Sequence, residues 1–155
     1  MERKKKQTIY ISGKISEDVI SEETRVKFGA AEQMLRSRGF KVLNPAGKEF
    51  QEYIAAHLQI NDSYIRSTHI SRYSYTLMLC IGELSLCDGI FLLGDYFESP
   101  GAQAELAFAA ATGMPIYRDD EFFAPYIDSN KELPFQVRRT YTARRLPKPE
   151  KGGEQ

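Results

Sequence analysis

The residue type best suited to chemistry in this chain is the glutamate of Ser99-Pro100-Gly101-Ala102-Gln103-Ala104-Glu105-Leu106-Ala107. Ser99 is placed to cap a helix and Pro100 suits its first turn, so Glu105 falls in the second turn, near the positive end. Residues 104–111 are otherwise apolar. A carboxylate on a helix that is apolar nearly all round either faces a cleft or is held by a partner, because an unpaired buried charge is costly. In a cleft it can stabilise positive charge on an electrophilic carbon or bond to it covalently. Periodicity alone leaves a second reading open, in which Glu105 lies on a solvated stripe and only complements the helix dipole.

Other residues able to act on a ligand follow short apolar runs. Tyr10-Ile11-Ser12-Gly13-Lys14-Ile15-Ser16 ends one run, Asn44-Pro45 a second, and Gly94-Asp95-Tyr96-Phe97-Glu98-Ser99 a third. Ser12 and Gly13 allow backbone N–H groups to approach a phosphate or a sugar. The turn is not a P-loop, since the upstream glycine of GxxxxGKS/T is missing and Ile15 follows Lys14. The GxGxxG spacing of dinucleotide folds is absent as well. Arg72 is a candidate phosphate ligand, with surface charge as its alternative role. Tyr96 is a candidate for stacking on a base, with core packing as its alternative. His57 and His69 have no paired Cys or Asp motif, and no metal or organic cofactor is expected.

These residues need a scaffold that brings strand ends together. Residues 8–12 read as a buried strand closed by Gly13, 22–38 as a helix stopped by Gly39, and 40–43 as a second strand ended by Asn44-Pro45. Residues 51–60 read as helical, 61–74 as a loop or broken helix, and 75–86 as a helix running into an apolar strand over 88–94. A helix over 101–112 and a short strand over 114–117 follow, then a short helix over 121–127. Alternating strands and helices predict an α/β class, a single Rossmann-like or flavodoxin-like domain with a parallel sheet of four to five strands flanked by helices. In such sheets the ligand crevice lies beyond the C-terminal strand ends, where the candidate residues cluster.

With 155 residues the chain is long enough for one core that buries roughly two-thirds of its unfolded surface. The division expected is a basic stretch over 1–7, the α/β domain over 8–135, and a basic, flexible tail over 136–155. The 21 Lys+Arg balance the 21 Asp+Glu, so no global field draws the protein to nucleic acid or an anionic membrane. Arg138, Arg139, Arg144 and Arg145 form a local basic cluster, but the zero net charge and the lack of a recognisable module of interleaved stacking aromatics argue against a nucleic-acid partner. Cys80 and Cys87 lie seven apart in an apolar stretch and read as free thiols. No run reaches the roughly 18 to 20 apolar residues of a membrane span, and residues 1–6 lead into a strand rather than a signal-peptide apolar run. The expected location is the cytoplasm.

Tyr10-Ile11-Ser12-Gly13-Lys14-Ile15-Ser16, Asn44-Pro45, Cys87-Asp88-Gly89-Ile90 and the segment from Ser99 to Glu105 together resemble the nucleoside 2-deoxyribosyltransferase-like superfamily. The resemblance spans about residues 8–118 and is closer to an uncharacterised bacterial and phage branch of that fold. It implies that Glu105 is the nucleophile that attacks the anomeric carbon of a 2-deoxyribosyl group and expels the base, with Tyr10 beside the reaction centre. It implies that Gly13 and Gly101 sit where backbone approaches the ligand, and that Ser99 helps hold a 5′-phosphate. Asp88, Asp95 and Tyr96 are the candidates to assist the departing base or orient the sugar, and Ser12, Lys14, Asn44 and Arg72 to bind the substrate. A homo-oligomer is also implied, because relatives often complete the site with a neighbour's residues.

Where characterised members carry a carboxylate, about two helical turns before the aspartate matched by Asp88, this chain has Cys80. The function that the resemblance implies is an N-glycosidic bond enzyme acting on a nucleoside or nucleotide, of the 2-deoxyribosyltransferase or deoxynucleoside 5′-monophosphate N-glycosidase type, and Cys80 is the feature that speaks for the alternative. The alternative is a non-catalytic nucleotide-binding sensor or interaction protein on the same fold.

Overall fold

Strand β1 (Thr8–Ser12) alternates two sets of side chains, and that alternation organises everything around it. In the computed structural model, which describes residues 5–15, 20–119 and 143–147, β1 lies between β2 (Lys41–Leu43) and β3 (Gly89–Leu92). Strand β4 (Ile116–Arg118) pairs with β3, and β5 (Arg144–Arg145) pairs with β4. Every pairing is parallel, giving the order β2-β1-β3-β4-β5. Among the described residues five α-helices flank this sheet, α1 (Glu22–Ser37), α2 (Lys48–Ile60), α3 (Asp62–Thr68), α4 (Arg72–Leu84) and α5 (Pro100–Thr112). The described residues form a single α/β domain.

One side of the sheet carries Ile9, Ile11, Phe91 and Leu93, packed on Phe28, Ala31 and Leu35 of α1. The other carries Tyr10, Ile90 and Leu92, packed on Leu84 of α4 and on Ala102, Leu106 and Ala109 of α5. Ile9, Phe28, Leu35, Phe91 and Leu84 are fully buried, each stabilising the fold by about 1.5–3 kcal/mol relative to an exposed side chain. The period of two therefore puts Tyr10 and Ser12 on the face that α5 covers.

Helix ends follow their chemistry. Ser21 Oγ accepts the Thr24 amide at 3.2 Å to start α1, and Ser99 Oγ accepts the Ala102 amide at 3.1 Å to start α5, with Pro100 in its first turn. Gly113 ends α5 at φ +74°, a left-handed conformation that glycine adopts without a Cβ penalty.

One expectation is resolved and two are corrected. Residues 61–74, expected as a loop or broken helix, are the broken helix: α2 ends at Ile60, α3 occupies Asp62–Thr68, and α4 begins at Arg72 behind a Ser71 cap. Only Ile65 of α3 is buried, so this helix has no apolar stripe to reveal it, and an Asp62–Arg66 pair at 3.1 Å spans its exposed turn. The domain also does not close at 135, because Arg144–Arg145 extend the sheet and Leu146 is buried in the α1-side core. Finally, β4 starts at Ile116 rather than 114.

The remainder of the expected C-terminal tail, with Arg138 and Arg139, the helix expected over 121–127 and the position of Ser16 lie outside the described residues. No helix among the described residues is long and apolar enough to cross a membrane.

Candidate active site

The chain leaves β1 toward β2 on one side and meets β3 on the other, so the order of strands reverses at β1. That reversal opens a crevice beyond the C-terminal strand ends, the position where open α/β sheets bind ligands. Into it reach the two side chains that β1 aims at α5. Tyr10 Oη donates a hydrogen bond to Glu105 Oε2, and Ser12 Oγ donates to Glu105 Oε1 at 2.9 Å. Both carboxylate oxygens are thereby held by β1, and Glu105 is 7% exposed.

Burial raises the Glu105 carboxyl from its ordinary 4.5 to about 7, while the hydrogen bonds from Tyr10 and Ser12 pull the other way. The Tyr10 phenol is pushed well above its usual value, first by burial and then by the neighbouring Glu105 charge. Cys80 lies beside this pair, and burial followed by the Glu105 charge raises its thiol to about 12. At neutral pH Cys80 is thus a neutral thiol and a poor nucleophile. Glu105 is divided between its two protonation states near neutral pH.

The cleft has a volume of about 550 Å³. Tyr10, Cys80 and Glu105 line it together with apolar side chains that include Ile15, Phe28 and Leu77. Gln51, Arg72, Tyr73, Thr76 and Ser99 add polar groups. Among the described lining residues Glu105 is the only carboxylate and Arg72 the only cation, and Arg72 makes no ion pair. Helices α4 and α5 bring their N-terminal turns together here, since a Cβ on Gly101 would lie 3.2 Å from the Tyr73 hydroxyl.

Of the residues singled out from sequence, Tyr10, Ser12, Gly13, Arg72, Ser99, Gly101 and Glu105 meet at or against this cleft. Gly13 has a packing reason of its own, because a Cβ there would lie 2.7 Å from Leu93 Cδ1. Asp88 does not join them. It sits at the N-terminal end of the sheet, where its Oδ2 accepts the Thr8 amide at 2.8 Å and its own amide donates to the Thr8 carbonyl at 2.8 Å.

Asp95 is likewise a structural group. Its Oδ1 accepts the Lys14 amide at 3.0 Å, its Oδ2 pairs with Lys27 Nζ, and Lys27 also donates to the Lys14 carbonyl at 3.1 Å. This clamp ties the turn after β1 to the turn after β3, and it uses Lys14 through its backbone. The Lys14 ammonium lies 3.9 Å from Glu98 rather than in the cleft. Asn44 spends its amide on the Ala46 N–H at 2.9 Å and on Glu32 at 3.0 Å. Tyr96 is fully buried in the α5-side core, so it cannot stack on a ligand.

Sequence reasoning passed over Gln51 and Thr76, which line the cleft from α2 and α4. The only available signal for Gln51 is its spacing of three and seven residues to Ile54 and Leu58, which line the cleft from the same helix face. Among the described residues no group of three or more His, Cys, Asp or Glu side chains is placed to hold a metal ion.

No curated protein and no solved structure matches the chain. Residues 7–118, which carry β1 through β4 and with them Tyr10, Ser12 and Glu105, match the family described as a domain of unknown function, DUF4406, and the chain belongs to that family.

Proposed function

We propose that this protein cleaves the N-glycosidic bond of a nucleoside or nucleotide with Glu105 as nucleophile. The observation that carries the reading is a single buried carboxylate at a cleft, gripped by Tyr10 and Ser12 and raised to about 7. The ionised Glu105 attacks C1′ of the sugar through an oxocarbenium-like state, and a bond forms between its oxygen and C1′. The C1′–N bond breaks, and the base leaves with the bonding electron pair and takes up a proton. Water or an acceptor base then attacks C1′, loses a proton and frees the carboxylate. Tyr10 and Ser12 hold the carboxylate in place before attack and accept it back afterwards. The resemblance to the nucleoside 2-deoxyribosyltransferase-like superfamily supports the same roles for Glu105 and Tyr10.

Two features favour a 5′-monophosphate. Arg72 lines the cleft and makes no ion pair among the described residues, and the first turns of α4 and α5 meet beside it with Ser99 and Gly101. Helix N-termini and a guanidinium both suit a phosphate dianion.

A binding protein without chemistry is the second reading. It is favoured by Cys80, which stands where the resemblance implies a carboxylate, and by the lack of any other carboxylate among the described lining residues. Chromatographic detection of free base separates the two. The chain is incubated with deoxynucleosides and their 5′-monophosphates, with and without an acceptor base, beside Glu105→Ala. Base release that falls at least a thousandfold in the variant is the expected result. Ligand-induced thermal stabilisation with no release from any substrate supports the binding protein instead.

A further inference from the structure

We propose that Gln51 makes the cleft selective for bases that carry an exocyclic amino group next to a ring nitrogen, adenine and cytosine, over their keto counterparts. The inference rests on the reading of the cleft as a nucleotide site and names the base it takes.

A glutamine amide that turns freely serves either pattern, because rotation by half a turn exchanges its donor and acceptor. Gln51 is not free. Its Nε2 donates to the Pro45 carbonyl at 2.6 Å. A carbonyl oxygen only accepts, so the nitrogen must face Pro45 and the orientation of the amide follows from chemistry. Pro45 is itself anchored by the turn around it. The Ala46 amide donates to Asn44 Oδ1 at 2.9 Å, the Gly47 amide to the Asn44 carbonyl at 2.9 Å, and Asn44 Nδ2 to Glu32 at 3.0 Å.

What remains of Gln51 is an acceptor, Oε1, that takes no hydrogen bond among the described residues, and the second N–H of its nitrogen. Gln51 lines the cleft, and Ile54 and Leu58 line it from the same face of α2, giving apolar walls for a planar ring. An acceptor beside a donor matches adenine, whose amino group adjoins a ring nitrogen acceptor, and matches cytosine in the same way. Hypoxanthine and uracil present the reverse pattern, a carbonyl beside a ring N–H. To meet them Gln51 would have to flip, which breaks its bond to Pro45 and sets two oxygens against each other.

The test is titration calorimetry on the Glu105→Gln chain, which holds substrate uncut, with two pairs of 5′-monophosphates that differ only at this edge. Deoxyadenosine and deoxyinosine monophosphates form one pair, deoxycytidine and deoxyuridine monophosphates the other. The amino member of each pair is expected to bind at least tenfold more tightly. Gln51→Leu is expected to bring both ratios to within about twofold of one by weakening the amino members. Equal binding within each pair overturns the inference, and the chain with Gln51 intact decides this even if the Leu variant does not fold. Ratios that survive in a folded Gln51→Leu chain also overturn it. Absence of binding by all four nucleotides overturns the nucleotide reading and this inference together, whereas nucleotides that bind without preference overturn this inference alone.

Discussion

Tyr10 and Glu105, 95 residues apart in the chain, meet hydroxyl to carboxylate at the end of the strand where the sheet reverses its order. The strand positions one partner by alternation and the helix positions the other by its second turn, so neither can move without the core behind it moving. A rigid element on each side is what keeps a buried carboxylate in one geometry.

Burial of Glu105 has a measurable stability signature. Its folded value of about 7 exceeds the ordinary 4.5, so the fold favours the protonated form. Below about pH 4.5 the group is protonated whether the chain is folded or not. As pH rises from there through 7 the unfolded chain gives up its proton more readily, and stability is lost by about 3 kcal/mol at most. Glu105→Gln removes that dependence while keeping a neutral amide between the two hydroxyls. Denaturant unfolding is expected to find the variant near wild type at pH 4 to 4.5 and more stable by about 2–3 kcal/mol at pH 8. Equal stabilities at pH 8 would show that Glu105 ionises without penalty.

Tyr10→Phe tests the hydroxyl directly. The bond from Tyr10 favours the ionised carboxylate, so its loss raises Glu105 further above 7. Base release by the wild-type chain is expected to rise with pH through a midpoint near 7, following ionisation of the nucleophile. In Tyr10→Phe that midpoint is expected to shift to higher pH, with activity at pH 7 reduced about tenfold or more and partly recovered at pH 9. An unshifted profile would remove Tyr10 from control of the carboxylate.

The parts of this site legible in sequence are those whose signal is local. Strand β1 is legible from a β-branched and aromatic run closed by Gly13, and α5, with Glu105 in its second turn, from a serine cap, a proline and a terminal glycine, whereas Tyr10 is singled out by the resemblance and not by its run. What was illegible depended on distant partners. Helix α3 buries only Ile65, and β5 consists of two arginines whose backbone merely continues an edge. Asp88 and Asp95 looked alike as carboxylates bordering a strand. Chain direction already puts Asp88 at the start of its strand and Asp95 past its end, and what the sequence hides is their partners: Asp88 holds the Thr8 amide, and Asp95 clamps Lys27 and the Lys14 amide.

The clamp gives Asp95 a role that differs from a catalytic one. Asp95→Asn keeps an oxygen for the Lys14 amide and a polar partner for Lys27, so base release is expected to stay within about threefold of wild type. Lys27→Met leaves Asp95, whose side chain is 11% exposed, without its counter-charge, and is expected to lower stability by about 1–3 kcal/mol. The turn after β1 then loosens, raising KM more than it lowers kcat, while the pH midpoint set by Glu105 stays in place. A midpoint that moves in Asp95→Asn would instead make Asp95 part of the reacting machinery.

Gly13→Ala probes how tightly that same turn is packed on β3. The added Cβ would stand 2.7 Å from Leu93 Cδ1 and 2.9 Å from Leu93 Cβ, and the second of these is near the backbone and cannot swing away. Leu93 is buried in the α1-side core at 2% exposure, so the strand end or the turn must shift to relieve the contact. Such overpacking costs about 1–3 kcal/mol. Because Ser12 precedes this turn and donates to Glu105, a shift of the turn also disturbs the carboxylate. The variant is therefore expected to lose both thermal stability and base release. Leu93→Ala in the Gly13→Ala background, which removes the Cδ1 contact, is expected to restore part of the base release while remaining less stable than wild type. Full activity and stability in Gly13→Ala alone would show that the two turns are free to move apart.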